Sequence, residues 1–133
     1  MSSIFTKIIN GEIPSYKIAE DKNYFAFLDI NPLSKGHTLV IPKKEVDYIF
    51  DLDDQTIEGL VVFSKKVAKA IEKVIACKRI GIAVLGLEVP HAHIHLVPIN
   101  GALDIDFSRP KLKLTAEEFT DIAGKLSKAI SLM

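Results

Sequence analysis

Hydrophobic and polar positions along the chain follow two periodic patterns, and the first of them predicts helices. Near the start, "SIFTKIING" has the i, i+1, i+4, i+5 apolar spacing of a short amphipathic helix, with Ser2 or Ser3 as its cap and Gly11 as its stop. Residues 54–76 have helical apolar spacing with lysines mostly on the other side, which predicts a long helix. The tail from residue 115 begins with a capping-box spacing and predicts a second substantial helix.

The second pattern consists of short apolar or alternating runs bounded by turn-forming residues, and it predicts strands. Asn-Pro and Gly mark a loop at residues 31–36, and Asn-Gly marks a turn at 100–101. Consecutive strands are joined mostly by short turns, which predicts an antiparallel sheet and an α+β fold. The five predicted strands are residues 16–21, 23–29, 37–42, 79–86 and 91–98.

Composition narrows the class of protein. A chain of 133 residues has the size of one domain, and its 17 Lys and Arg balance its 17 Asp and Glu. This zero net charge gives no basic field for nucleic acid, so we expect no nucleic-acid partner. No apolar run approaches the ~18 residues of a membrane span, and we expect no membrane partner. The single cysteine, Cys77, can form no internal disulfide and suits a reducing compartment, so we expect a cytoplasmic protein.

The segment "PHAHIHLVP" at residues 90–98 contains three of the four histidines, His91, His93 and His95. Side chains alternate along a strand, so these three are predicted to share one face while the apolar residues between them face the core. Pro90 and Pro98 bracket the segment and are expected to mark its ends, since proline cannot donate to a sheet ladder.

Three kinds of chemistry can use such a row of imidazoles. A metal site is one, but the outer histidines of an unbent strand are about 13 Å apart, so an ion would need a further ligand such as His37. A solvent-exposed polar face is the second. Nucleophilic catalysis is the third, because neutral histidine can attack phosphorus near pH 7, while protonated neighbours stabilise the phosphoryl oxygens. Residue types favour the third, and we expect no metal and no cofactor.

The stretch "HAHIHLV" fits the alternating pattern of the histidine triad (HIT) superfamily, and the chain resembles its Hint-like branch. The front half agrees independently, in "IFTKIINGEIPSYKIAED" and "AFLDINPLSKGHTLVIPKK" followed by a long helix. The resemblance covers most of the chain, so residues 1–133 are expected to form a single HIT domain. It implies a homodimer with a ten-stranded sheet and metal-independent cleavage of nucleoside monophosphates, AMP above all, from phosphoramidates or related anhydrides.

The resemblance also implies roles for individual residues. His93 would become covalently attached to the nucleotide, His95 would contact the α-phosphate and the leaving group, and His91 would orient the triad through the backbone. His37 matches a fourth histidine that sits against the triad; its alternative is a structural, half-buried imidazole. Asp29 would accept hydrogen bonds from the ribose; its alternative is a turn residue. The apolar slot for the base, or alternatively plain core, would comprise Ile4, Phe5, Ile8, Phe27 and Ile30.

Two departures from the family pattern bear on function. Many bacterial relatives have a Cys-x-x-Cys pair and a histidine that bind structural zinc, where this chain has Ser3, Thr6 and Glu45, so we expect no zinc. The loop before the triad is shorter and apolar, with Glu88 where Ser or Thr is usual. A carboxylate there could repel phosphate, pair with a cationic leaving group or simply be solvated. The enzyme hypothesis therefore has an alternative, a nucleotide-binding sensor or scaffold with weak turnover.

Overall fold

A five-stranded antiparallel sheet organises the protein, whose computed structural model describes residues 2–133. The strands lie in the order β1-β2-β3-β5-β4. They are β1 (Lys17–Glu20), β2 (Tyr24–Leu28), β3 (Thr38–Pro42), β4 (Arg79–Ala83) and β5 (Ile94–Ile99). The helices are α1 (Ile4–Ile9), α2 (Asp54–Val74) and α3 (Ala116–Ser131), and short 3-10 turns span Ile49–Asp51 and Ala102–Ile105. The α+β class and the antiparallel sheet predicted from sequence are confirmed.

The two faces of the sheet bury different apolar sets because side chains alternate along each strand. One face packs against α2 and α3, and its strand residues include Ala26, Val40 and Leu96. The other face forms a smaller cluster with α1, in which Phe5 meets Phe27. The small cluster borders the histidine row, because the Phe5 ring also meets the His93 ring.

Helix starts follow their capping residues. The Ser3 side chain accepts a hydrogen bond from the Thr6 N–H at the start of α1, and Gly11 ends that helix with a φ of 79°. Thr115 and Glu118 form the predicted capping box of α3. All three helices predicted from the sequence are therefore present.

The strand that contains the histidine row begins later than predicted. β5 starts at Ile94, so His91 and His93 lie in the preceding segment and only His95 is in the ladder. The β3–β5 register pairs Val40 with Ile94. Continued by two residues, this register would bring Pro42, which has no N–H to donate, opposite Ala92, whose N–H instead donates to Val46 O at 2.7 Å. The lost donor thus ends the ladder.

Pro98 was expected to end the strand, but it lies inside β5, opposite Ile80. Its carbonyl accepts a hydrogen bond from the Ser34 hydroxyl at 3.0 Å. The β3 partners of β5 stop at Leu96, so no strand on that side requires an N–H from residue 98. Within residues 2–133, no helix combines the length and apolarity that crossing a membrane requires.

Gly59 and Gly124 allow a paired test of the packing beneath α2. A Cβ at Gly59 would lie 2.0 Å from the Tyr24 hydroxyl, which donates to Thr56 O at 2.9 Å, whereas a Cβ at Gly124 in α3 would meet nothing within 4 Å. We expect Gly59→Ala to lower the free energy of unfolding by about 1–3 kcal/mol through overpacking, despite the gain in helix propensity. Gly124→Ala should leave it unchanged or raise it by up to about 1 kcal/mol. Urea unfolding of both variants measures this, and equal effects would contradict the Tyr24 contact.

Candidate functional site

The candidate site lies on the sheet face that α1 covers. The registers place Phe27, Leu39 and His95 side by side across β2, β3 and β5. His95 therefore projects next to the small apolar cluster, and the His93 and His95 rings meet with centroids 5.0 Å apart. The intervening Ala92, Ile94 and Leu96 are buried in the main core, as the alternation predicts.

His37 joins the site from the residue before β3, and its hydrogen bonds fix its protonation. The Leu33 N–H donates to His37 Nδ1 at 3.0 Å, so this nitrogen is an acceptor and the neutral ring has its proton on Nε2. His37 Nε2–H then donates to His95 Nδ1 at 3.0 Å. Consequently, His95 must have its own proton on Nε2.

His91 and His93 are fixed by backbone carbonyls, which only accept. His91 Nε2–H donates to Pro42 O at 2.8 Å, and His93 Nδ1–H donates to His91 O at 2.7 Å. The neutral His93 ring therefore has its lone pair on Nε2. His91, by contrast, accepts at Nδ1 from the Ser3 hydroxyl at 2.8 Å.

The Nε2 atoms of His93 and His95 have no hydrogen-bond partner among residues 2–133. No fully buried side-chain nitrogen or oxygen in that part of the chain lacks a partner, so both atoms must reach solvent. The two residues are nonetheless only 7% and 8% exposed. Two histidines thus present one atom each to an approaching molecule, a lone pair on His93 and an N–H on His95.

Burial keeps the rings around His93 neutral. Desolvation lowers the pKa of His37 to about 3 and that of His95 to about 4, and it also lowers the pKa of His91. The cationic neighbours expected from the sequence are therefore absent at pH 7 in the free protein. A phosphate would meet one hydrogen-bond donor on a neutral ring, the Nε2–H of His95.

Asp29 follows β2 and lies 3.5 Å from His37 Nε2 through its Oδ2 atom. Its Oδ1 atom accepts from the Asn31 N–H at 2.8 Å, so the predicted turn contact and a place in the site coexist. Burial raises the pKa of Asp29, and the negative charge of Glu88 contributes to that rise. Glu88 is exposed, so the altered loop brings a carboxylate near the open side of the site.

The predicted apolar slot is only partly enclosed. Phe5 and Phe27 are buried against each other, and the Phe5 ring meets the His93 ring edge-on at 5.0 Å. Ile8 packs on this cluster at its margin. Ile4 and Ile30 are 48% and 63% exposed, so they are not core residues.

Sequence reasoning missed Phe107 and Lys111. The Phe107 ring lies 4.7 Å from the His95 ring and 6.0 Å from the His37 ring, measured between centroids. The Lys111 ammonium holds this segment by donating to the carbonyls of Phe107 and Arg109. Neither residue belongs to a periodic pattern or motif, so no signal in the sequence indicated them.

Three ligand-type atoms, from Asp29, His37 and His95, lie within 4.8 Å of one another. A metal on this group would need the Nε2 lone pair of His37. That nitrogen has the ring's proton because Leu33 N–H occupies Nδ1, whereas a ligating histidine normally donates from its other nitrogen. The donor set therefore suits proton sharing better than metal coordination.

The zinc that the resemblance implies for many relatives does not fit its corresponding positions here. Ser3, Thr6 and Glu45 do meet beside His91, but two of them offer neutral hydroxyls. Zinc sites in proteins use thiolates, imidazoles and carboxylates, and only Glu45 and His91 provide such groups. No step of the chemistry below uses zinc.

The fold and the four clustered histidines define a histidine triad domain. Residues 10–101 match the HIT domain family. An uncharacterized HIT-like protein of Borreliella burgdorferi is 39% identical over 135 residues, covering 96% of this chain and 97% of that protein. The adenosine 5'-monophosphoramidase hnt1 of Schizosaccharomyces pombe is 36% identical over 133 residues, covering 98% and 99%.

A solved structure supports the same assignment. The crystal structure of a Hit-like protein involved in cell-cycle regulation from Bartonella henselae, with an unknown ligand, superposes with a TM-score of 0.82. It is 32% identical and covers 96% of each chain. This chain belongs to the HIT domain family.

The lowered pKa values of His37 and His95 predict an acid-sensitive fold. Below about pH 6.5 the two histidines become protonated in the unfolded chain but stay neutral in the folded protein. The free energy of unfolding therefore falls as the pH falls. Each ring should contribute a loss of about 2 kcal/mol between pH 7 and pH 5. The raised pKa of Asp29 acts in the opposite direction. Urea unfolding at pH 7, 6 and 5 measures the sum.

A His37→Gln variant is the control for this pH dependence, because it removes one of the three rings, His37, His91 and His95, whose pKa burial lowers. Its stability should vary less between pH 7 and pH 5 than that of the natural chain. A natural chain that is equally stable at both pH values would contradict the buried, neutral state of these rings.

Proposed function

We propose that this protein is a nucleotide hydrolase or transferase of the histidine triad type, acting on phosphoramidates or related phosphoanhydrides of a nucleoside monophosphate, AMP above all. The observation that carries the proposal is the hydrogen bond from His93 Nδ1 to His91 O. It leaves the His93 lone pair on the solvent-facing Nε2, the atom that a nucleophilic imidazole must use. The monophosphoramidase name of the S. pombe relative gives independent support.

The reaction would proceed in two displacements. His93 Nε2 attacks the α-phosphorus and the bond from phosphorus to the leaving nitrogen or oxygen breaks, while His95 Nε2–H donates a hydrogen bond to the leaving atom. A protonated phosphoramidate nitrogen leaves as the neutral amine, and an anhydride oxygen leaves as the phosphate anion. Water then attacks the phosphorus of the His93 adduct, the bond from phosphorus to His93 Nε2 breaks, the water loses a proton to solvent, and the nucleoside monophosphate leaves. In transfer, an acceptor other than water would take the same place.

The surrounding residues would bind the nucleotide. The Asp29 carboxylate would accept hydrogen bonds from ribose hydroxyls, as the family resemblance implies, and His37 would hold His95 in the tautomer that donates. Phe5, Phe27 and Ile8 would form the buried wall for the base, while the exposed Ile4 and Ile30 would cover its edge. No metal and no cofactor is needed in this scheme.

A binding module with weak turnover is the second candidate, and Glu88 favours it. Its carboxylate contributes to the raised pKa of Asp29, so it is close enough to oppose a phosphate electrostatically. Nucleotide binding without turnover would support this candidate.

The test incubates the protein with adenosine 5'-phosphoramidate in the presence of EDTA. Sustained AMP release is expected, with a loss of at least about 10³-fold in His93→Ala, because the nucleophile is gone. Lys128→Ala, at an exposed position of α3, is the matched control and should keep full activity. Mass spectrometry of the quenched reaction should find a nucleotidyl group on His93. A smaller loss, or turnover abolished by EDTA, would contradict the proposal.

We further propose that residues 1–133 form a single HIT domain, that two copies join their sheets into one of ten strands, and that the protein works in the cytoplasm. The dimer is supported by β4, an edge strand with Ile82 60% exposed. The reducing compartment is supported by the single free Cys77.

An edge substitution tests the dimer. Light scattering should give twice the chain mass for the natural protein and one chain mass for Ile82→Lys, because a buried charge opposes strand pairing. Leu132→Lys changes a still more exposed apolar residue, 76% exposed and beyond α3, and should leave the dimer intact. A monomeric natural protein would overturn the proposal.

A further inference from the structure

A hydrogen-bonded cluster joins the start of α1 to the triad. The Ser3 N–H and the Thr6 hydroxyl both donate to Glu45 Oε1 at 2.6 Å, and the Thr6 N–H donates to Ser3 Oγ at 3.1 Å. Ser3 Oγ and His91 Nδ1 are 2.8 Å apart and buried. The residues lie 42 and 88 positions apart from Ser3, so the cluster ties three distant parts of the chain together.

The direction of each proton in the cluster follows from the groups that can only accept. Pro42 O accepts a hydrogen bond from His91 Nε2–H, so His91 Nδ1 must accept one from Ser3 Oγ–H. The Ser3 hydroxyl therefore donates a hydrogen bond to His91 Nδ1, while its oxygen accepts a hydrogen bond from the Thr6 N–H. Glu45, accepting from Thr6 and Ser3, holds the other end; these bonds lower its pKa to about 2 and keep it charged.

The backbone of His91 links this hydrogen-bonded cluster to His93, whose Nε2 is the proposed nucleophile. The carbonyl of His91 is the acceptor for His93 Nδ1–H, so a rotation of residue 91 changes the bond that directs His93 Nε2 outward. The same helix also contacts both rings through Phe5, with centroids 5.8 Å from His91 and 5.0 Å from His93. α1 thus holds the triad at two points.

We propose that Ser3 and Glu45 are positioning residues of the triad, which hold the orientation of the His91 ring, whose tautomer Pro42 O fixes, and, through the His91 carbonyl, the orientation of His93. Neither residue belongs to the predicted phosphate or base contacts. The effect on turnover rests on the proposed function, whereas the effect on the His91 ring does not.

Ser3→Ala removes the hydrogen-bond donor to His91 Nδ1. In histidine-labelled protein, ¹⁵N NMR should give His91 signals of an Nε2–H tautomer in both proteins, with the unprotonated Nδ1 signal shifted downfield in Ser3→Ala because that nitrogen no longer accepts a hydrogen bond. The kcat for adenosine 5'-phosphoramidate should fall about 10-fold, with KM changed less than twofold, because no substrate contact is lost. Ser3→Thr keeps the hydroxyl and should restore both the ¹⁵N signals and kcat.

Thr115→Ala is the control for the general effect of losing a helix cap. Thr115 caps α3 as Ser3 caps α1, but it has no contact with a histidine. Both variants should lose about 1 kcal/mol of stability, and only Ser3→Ala should alter the His91 and His93 signals. Glu45→Ala, at an exposed position, should shift the same signals in the same direction by a smaller amount, and it tests the network if Ser3→Ala does not fold.

Unchanged His91 and His93 signals in Ser3→Ala and Glu45→Ala would overturn the inference. So would a raised KM at unchanged kcat, which would indicate substrate binding. If the natural protein does not turn over the phosphoramidate, the proposed function fails. The ¹⁵N signals then still decide whether Ser3 and Glu45 position the ring.

Discussion

One constraint governs the candidate site: each neutral imidazole has a single proton, and a neighbour with only one possible role decides which nitrogen holds it. Leu33 N–H can only donate and the carbonyls of Pro42 and His91 can only accept, so the four rings have one consistent arrangement of protons. Burial reinforces this arrangement because it opposes a second proton on His37, His91 and His95. The result is an exposed lone pair beside an exposed N–H.

The fold supports this arrangement by giving each face of the sheet its own task. The face toward α2 and α3 contains the main core, so the strands beneath the histidines are fixed by apolar packing. The face toward α1 contains the smaller aromatic cluster and remains open at its margin. The candidate site therefore lies on a surface whose reverse side is tightly packed, which is how a preorganised site keeps its geometry.

Periodicity and capping residues predicted the helices, the sheet and the shared face of the histidines, because these depend on local spacing. The extent of β5 could not be predicted locally, since it depends on Pro42, which lies far away in the sequence. Only the family resemblance predicted that His37 lies against the histidine row, where it contacts His95. Phe107 and the tautomers depend on contacts between distant segments, and no motif indicates them.

The cluster of Ser3, Thr6, Glu45 and His91 consists only of oxygen and nitrogen groups. It has no thiolate that peroxide could oxidise, and its two hydroxyls are poor zinc ligands, in contrast to a cysteine-based zinc site. The link between α1 and the triad therefore has no group that mild oxidants would modify, and it does not depend on a bond between zinc and a thiolate.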